Sequence, residues 1–165
     1  MQWKNHRLTT CAVTFALTGS FPATAIATAA SALPDVLELK LLKHRTLTHY
    51  PWIPILLAIF LWRGMQTDPG YIIYVSFFIL IGYICHLAGD FLSNSGVPIW
   101  SPFGKPIGCR LYVTHDRSED VVTLSVVVVA LFYAWHKGLL SQIYLLRAAD
   151  NLAIFLTGMV NHFSK

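Results

Sequence analysis

The sequence predicts an all-α protein of the membrane: a polytopic helical bundle with an N-terminal re-entrant helical hairpin and about four transmembrane helices. Hydrophobic residues make up 55% of the 165 residues and charged residues only 12%, which is more apolar surface than a soluble core of this size requires. The longest apolar runs approach the ~20 residues that cross a bilayer. A chain of this length is expected to form one domain, here a single integral membrane domain over 1–165.

Four apolar runs are predicted to cross the membrane, at 51–63, 71–92, 121–136 and 139–160. The second run is the clearest, because it carries no charge until its last turn. The first run is short, but Trp52 and Trp62 bracket it in the way that aromatic residues mark the two membrane interfaces.

The N-terminal region 1–33 has a basic start and small residues near its end, which is also typical of a secretory signal. The tetrapeptide GSFP at 19–22 fits a turn better, because it offers a helix-ending glycine, an N-capping serine and a first-turn proline. Each flanking half-helix of about a dozen residues would rise roughly 18 Å against a ~30 Å core. We therefore expect a re-entrant hairpin that brings His6 back beside Asp35.

With this topology, the loop at 34–50 and the cytoplasmic loop at 93–120 lie on one side of the membrane. Most cations fall on that side, whereas Arg63 and Lys137 lie on the other. The positive-inside rule therefore predicts that this side is cytoplasmic. The same side collects six residues with metal-ligating or acid–base side chains: His6, Asp35, His44, His49, His86 and Asp90.

Two of these residues lie in the segment HLAGD. His86 and Asp90 are four apart, which places both side chains on one face of a helix. An imidazole beside a carboxylate can hold a divalent metal or act as a base with its orienting partner. The plainer alternative is a carboxylate at a helix end that only reaches water.

The segment HRTLTH carries His44, Arg45 and His49. Tyr50 precedes a proline and therefore favours extended geometry, so we expect a loop in which both histidines can converge. The alternative is an ordinary loop, basic because of the membrane topology. Asp35 follows a proline, so it could also be an ordinary turn residue with no role in a metal site. The metal-site interpretation depends on the convergence of these separate segments, which together supply nitrogen and oxygen ligands.

Other chemistry is not indicated by the chain. Three cysteines without C-x-x-C spacing do not predict a disulfide framework. No P-loop or dinucleotide-binding motif is present, and no nucleic-acid partner is expected.

Several segments in order resemble the YdjM-like family of bacterial inner-membrane proteins, described as metal-dependent hydrolases. These are NHR at 5–7, LPD at 33–35, HRTLTH at 44–49 and GYICHLAGDFLSNSGVPIWSP at 82–102. A weaker match is the glutamate that opens the next apolar run, here Glu119. The resemblance implies a multi-pass protein of the bacterial inner membrane.

The resemblance also implies that the six residues above are the metal ligands, with Arg45 and Thr48 supporting them. The chain departs from the family pattern where a second aspartate would follow Asp35, since Leu37 stands there, and where Thr46 replaces a glycine. The loss of one carboxylate leaves open whether two metals bind or Asp35 serves alone.

These observations predict metal-assisted hydrolysis of a phospholipid or other phosphoester at the cytoplasmic membrane surface. The expected cofactor is a divalent metal, zinc before manganese or iron, and the expected partners are membrane lipid and the substrate itself. Asp35 or Asp90 would accept the proton of the attacking water. Arg45, with Lys105 or Arg110, would neutralise the phosphate.

Three alternatives belong to other functional classes. A small transporter would place its polar residues near the bilayer midplane. A phosphohistidine lipid phosphatase would carry a serine–arginine pair upstream of the histidine, which GYIC at 82–85 does not supply. A non-catalytic membrane adaptor would leave the histidines unexplained.

Two further groups of polar residues lie outside these segments. His115 or Glu119, in the charged stretch 114–120, could join the site, although such a stretch is more often solvated. Arg147, Asp150 and Asn151 are expected to form a buried polar pair that fixes helix packing.

Overall fold

The computed structural model describes residues 1–38, 47–67 and 70–164, apart from the side chain of Phe163. The described chain is helical, with two isolated β-bridges in the loop that follows the fifth helix, and this confirms the all-α prediction. The α-helices are α1 (Trp3–Thr18), α2 (Phe21–Ala30), α3 (Leu33–Glu38), α4 (Trp52–Thr67), α5 (Tyr71–Leu92), α6 (Arg117–His136) and α7 (Gln142–Phe163), and a 3₁₀ turn covers Leu47–His49.

Helices α1 and α2 form the predicted hairpin. Gly19 adopts the left-handed conformation (φ 62°) that ends α1. The Ser20 side chain accepts a hydrogen bond from the Ala23 N–H at 3.3 Å, which caps α2. The 16 residues of α1 and 10 residues of α2 rise about 24 and 15 Å, less than a ~30 Å bilayer core. The hairpin is confirmed, and its re-entrant position in a bilayer stays a prediction.

Three helices among the described residues are long and apolar enough to cross a membrane, namely α5, α6 and α7. Helix α4 forms where a crossing is predicted, but its 16 residues rise only about 24 Å. Helix α6 begins at Arg117, four residues before the predicted span, because the Asp116 side chain accepts a hydrogen bond from the Ser118 N–H.

The predicted loop at 34–50 contains more structure than expected. Asp35 lies in the short helix α3, and His49 lies in the 3₁₀ turn. The segment 39–46, which includes His44, Arg45 and Thr46, is outside the described residues. Asp35 is therefore presented from a helix, not from a simple turn.

Small residues let α2 pack closely on α5. Ala23 and Ala27 are completely buried. A Cβ atom built on Gly82 of α5 would lie 2.8 Å from the carbonyl carbon of Ala27, so even an alanine side chain does not fit there. Helix α1 packs against α2, α5 and α6, while α4 packs on α5.

The loop between α5 and α6 folds back over the end of α5. The Tyr112 hydroxyl donates a hydrogen bond to the Gly89 carbonyl at 2.7 Å, and the Cys109 N–H donates to the Phe91 carbonyl at 2.8 Å. The Trp52 indole N–H joins the loop to α4 through the Ile99 carbonyl at 2.9 Å. The loop therefore closes the end of the bundle at which the predicted site lies.

The prediction of a buried polar pair in α7 is wrong. Arg147, Asp150 and Asn151 are all exposed, whereas Ala148, on the side of α7 that faces the bundle, is buried. Among the described helices, α7 packs mainly on α2, and its three polar side chains remain exposed beside that contact.

Replacing Gly82 by alanine should destabilise the protein by about 1–3 kcal/mol, because the added methyl group overlaps the backbone of α2. Gly64→Ala is the matched control, since a Cβ atom there meets Ile73 at an ordinary 3.7 Å and alanine favours a helix over glycine by up to about 1 kcal/mol. Thermal unfolding in detergent measures both variants. Equal stability of the two would contradict the tight α2–α5 contact.

Candidate metal centre

Five of the six predicted ligands come together at one end of the bundle. They belong to four separate elements, which are α1, α3, the 3₁₀ turn and α5, and the residues are His6, Asp35, His49, His86 and Asp90. His44 and the predicted phosphate-binding Arg45 lie outside the described residues.

The ligand atoms form two overlapping groups. In the first, His6, His86 and Asp90 each offer an atom within 4.8 Å of the others, and in the second Asp35, His49 and His86 do so. His86 belongs to both groups because its Nε2 atom lies 3.5 Å from Asp35 Oδ1 and 3.6 Å from Asp90 Oδ2.

Asp90 is the carboxylate at the centre of the cluster. Its Oδ2 atom lies 3.3 Å from His49 Nε2, and its Oδ1 atom lies 3.4 Å from His6 Nε2. The Met1 amino group also lies 2.8 Å from Oδ1. One carboxylate therefore faces three imidazoles at once.

The cluster is shielded from solvent except on the side of Asp35. His6, His49, His86 and Asp90 have at most 2% of their side chains exposed, against 20% for Asp35. Burying polar groups to this degree is costly unless they are compensated by one another or by a ligand. Asp35 is therefore the most exposed member of the cluster.

Helix packing sets the positions of the imidazoles. The rings of His6 and His86 stack with centroids 3.7 Å apart and planes inclined by 11°. A Cβ atom on Gly89 would lie 3.1 Å from His6 Nδ1, so the glycine provides the space for this ring beside α5. The glycine in HLAGD thus has a direct role in the geometry of the site.

Two imidazoles are oriented by partners of their Nδ1 atoms, on the ring side away from the cluster. His86 Nδ1 lies 2.7 Å from the Ser31 carbonyl oxygen, which can only accept, so Nδ1–H donates and Nε2 faces the cluster. His49 Nδ1 lies 2.9 Å from Glu38 Oε1, and the Thr48 hydroxyl donates to the same oxygen at 2.7 Å. Carbonyl and carboxylate partners of this kind orient metal-binding histidines in proteins.

Glu38 belongs to the candidate site but is not among the residues predicted from the sequence. It follows Asp35 by three residues in α3, so both carboxylates lie on one face of that helix. The stretch was interpreted as a loop, for which no such periodicity is expected. The helical spacing within LPDVLE was the signal that could have identified it.

Asp35 is an ionised carboxylate at neutral pH. Burial raises its pKa, but the adjacent His86 imidazole and the hydrogen bond from Trp3 outweigh that effect, and the pKa falls to about 2. The Trp3 indole N–H donates to Oδ2 at 2.8 Å, which fixes the orientation of the carboxylate.

The donors fit a divalent cation. They combine imidazole nitrogens with carboxylate oxygens, the mixture that zinc and similar ions bind. Within the described part of the chain, both ring nitrogens of His6 and the Nε2 atom of His86 are buried without a hydrogen-bond partner. Buried polar atoms of this kind are normally satisfied, and a bound metal ion would satisfy one nitrogen of each of these two imidazoles.

A cavity of about 520 Å³ leads from the surface to the two aspartates. Its lining includes Trp3, Lys4 and His115 together with Asp35 and Asp90. The expected phosphate-neutralising residues Lys105 and Arg110 are exposed and do not line this cavity.

Glu119 is fully buried, but its hydrogen bonds join it to backbone and amide groups and not to the His–Asp cluster. Its Oε1 atom accepts hydrogen bonds from the Gln2 N–H and from Asn5 Nδ2 at 2.8 Å, and its Oε2 atom accepts from the His115 N–H at 2.9 Å. It therefore fastens the start of α1, which carries His6, to the start of α6.

Replacing Glu119 by glutamine should destabilise the protein by about 1–3 kcal/mol, because an amide NH₂ would face N–H donors that need an acceptor. Asp120→Asn is the matched control, since Asp120 is exposed. Thermal unfolding in detergent compares the two variants. A Glu119→Gln protein as stable as Asp120→Asn would rule out this anchoring role.

Comparison with known proteins gives one positive result. A search of curated proteins and a search of solved structures each found no match. The model of the YdjM inner membrane protein family matches residues 1–162. Three helices among the described residues are able to cross a membrane, in agreement with that description. Because the match covers nearly the whole chain, the chain belongs to the YdjM inner membrane protein family.

Proposed function

We propose that this protein is a metal-dependent hydrolase that cleaves a phosphoester bond of a membrane lipid. The observation that carries the proposal is the convergence of three imidazoles and two carboxylates in a buried cluster beside an open cavity. A divalent ion bound there, with zinc preferred over manganese or iron, would lower the pKa of a water molecule and polarise the substrate oxygen.

The exposure of the donors suggests how their roles divide. His6, His49, His86 and the buried Asp90 would hold the metal. Asp35 lines the cavity and is ionised, so it is the residue placed to accept a proton from an attacking water. The Trp3 N–H occupies Oδ2 of Asp35 and leaves Oδ1 directed toward the histidines.

The cavity also suits an anionic group. Lys4 and His115 contribute to its lining, and a lysine ammonium is a common partner of phosphate. Lys4 Nζ lies 3.5 Å from Asp120 Oδ1, and both side chains are largely exposed, so this weak ion pair can open to admit a phosphate. The role of Arg45 in phosphate binding stays a prediction.

An apolar groove beside the cavity supports a lipid substrate. Met1 lines the polar cavity and also an apolar pocket of about 120 Å³ that includes Val13 and Val126. The same two valines line a further groove of about 400 Å³ between α1 and α6, which ends at Tyr133. A lipid with its phosphate in the cavity could therefore lay a hydrocarbon chain along α1 and α6.

The activity test uses purified protein with zinc or manganese and vesicles that contain phosphatidic acid. We expect release of inorganic phosphate that EDTA abolishes. Asp35→Asn should lower kcat by about 10²-fold or more, as expected for loss of a general base, and His136→Ala, at an exposed helix end, should have no effect. Absence of hydrolysis with any divalent metal, for phosphatidic acid and other phospholipids alike, would contradict the proposal.

The groove between α1 and α6 leads to a second prediction, which concerns substrate preference. Val126→Trp should fill the groove and raise KM roughly tenfold for long-chain phosphatidic acid, the loss expected when about two buried methylenes are displaced. It should not change KM for glycerol phosphate. Val128→Trp is the matched control, because Val128 is exposed on the same helix and does not line the groove. An equal effect on both substrates would contradict the proposed chain path.

A further inference from the structure

Helix α7 carries two charges within a membrane-capable span. The span covers Gln142–His162, and both Arg147 and Asp150 are exposed. Counted along the helix, Asp150 lies about 12 Å from the first residue, well inside a ~30 Å hydrocarbon core. Charged side chains at such depth are costly in lipid and usually face protein or a water-filled cavity.

The inner face of α7 is already defined by its contacts. Ala148 is buried there, and the Phe155 ring lies 5.6 Å from Tyr71 and 5.4 Å from Tyr74 of α5. At 100° per residue, Asp150 lies about 160° around the helix from Ala148, Arg147 about 100° and Asn151 about 60°, and all three are exposed. The charged face therefore points away from the chain's own bundle.

The two charges have no partner within the described part of the chain. No ion pair there includes Arg147 or Asp150, although both signs of charge lie one helical turn apart. The exposed faces of the other peripheral helices differ, because α4 presents Phe60 and α6 presents Val129 and Phe132. Lipid suits those apolar faces, whereas it leaves the charges of α7 uncompensated.

We propose that the Arg147–Asn151 face of α7 binds the same face of a second copy of this chain. Two copies inserted in one orientation would bring their α7 helices together in parallel around a two-fold axis. Their two guanidinium groups and two carboxylates then form a neutral cluster. Self-complementary charge is what favours a second copy over a different protein, and Asn151 adds a polar group that can hydrogen-bond across the helices.

Charge reversal tests this interface without reference to enzymatic activity. Dimerisation of the purified full chain is measured by sedimentation equilibrium in detergent. Arg147→Asp would place four carboxylates at the interface, and Asp150→Arg would place four guanidinium groups there. Each variant should raise the dimer dissociation constant by roughly tenfold or more, the loss expected for two interhelical polar contacts. The double variant should recover the wild-type affinity. Arg63→Asp, which reverses an exposed charge on α4, is the control and should dimerise normally.

Mixing the single variants separates loss of pairing from loss of folding. Coexpressed Arg147→Asp and Asp150→Arg chains with different tags should copurify, because each supplies the charges that the other needs, while neither should copurify with itself. A monomeric wild-type protein would overturn the proposal. So would a wild-type dimer that the single reversals leave intact, or one that the double variant fails to restore.

Discussion

The buried carboxylate of Asp90 is the constraint on which the rest of the structure depends. It lies in the last turn of an apolar helix with 2% of its side chain exposed, where an isolated charge would be strongly disfavoured. His6, His49 and the Met1 amino group surround it and come from parts of the chain far apart in sequence. Compensation of this one charge therefore draws α1 and the 3₁₀ turn onto α5.

The surrounding fold supplies the precision that this convergence requires. Gly82 lets α2 approach α5 closely, and Gly89 makes space for the imidazole of His6. Glu119 ties the first residues of α1 to the start of α6. The two helices of the hairpin are each too short to cross a bilayer, and they place the buried His6 in the cluster and Trp3 in the lining of the cavity beside it.

The elements with strong local signals could be predicted from the sequence. Apolar length identifies α5, and the turn chemistry of GSFP identifies the α1–α2 hairpin. The i, i+4 spacing identifies His86 and Asp90 as neighbours. Glu38 is not predicted because the stretch 34–50 is expected to be a loop, in which its helical spacing from Asp35 has no meaning. Lys4 at the cavity is not predicted because contacts between distant segments place it there, and no local pattern encodes them. The outward face of α7 was missed for the same reason, since periodicity gives a polar face but not its direction.

The most direct test of the account is the amount of metal bound per chain, measured by elemental analysis of detergent-purified protein. The wild type should carry about one or two equivalents of zinc, manganese or iron, the number that a site of this donor set can hold. His86→Ala and His49→Ala should lose it, and His136→Ala should retain it. A wild-type protein that stays metal-free after reconstitution with each of these ions would contradict the account.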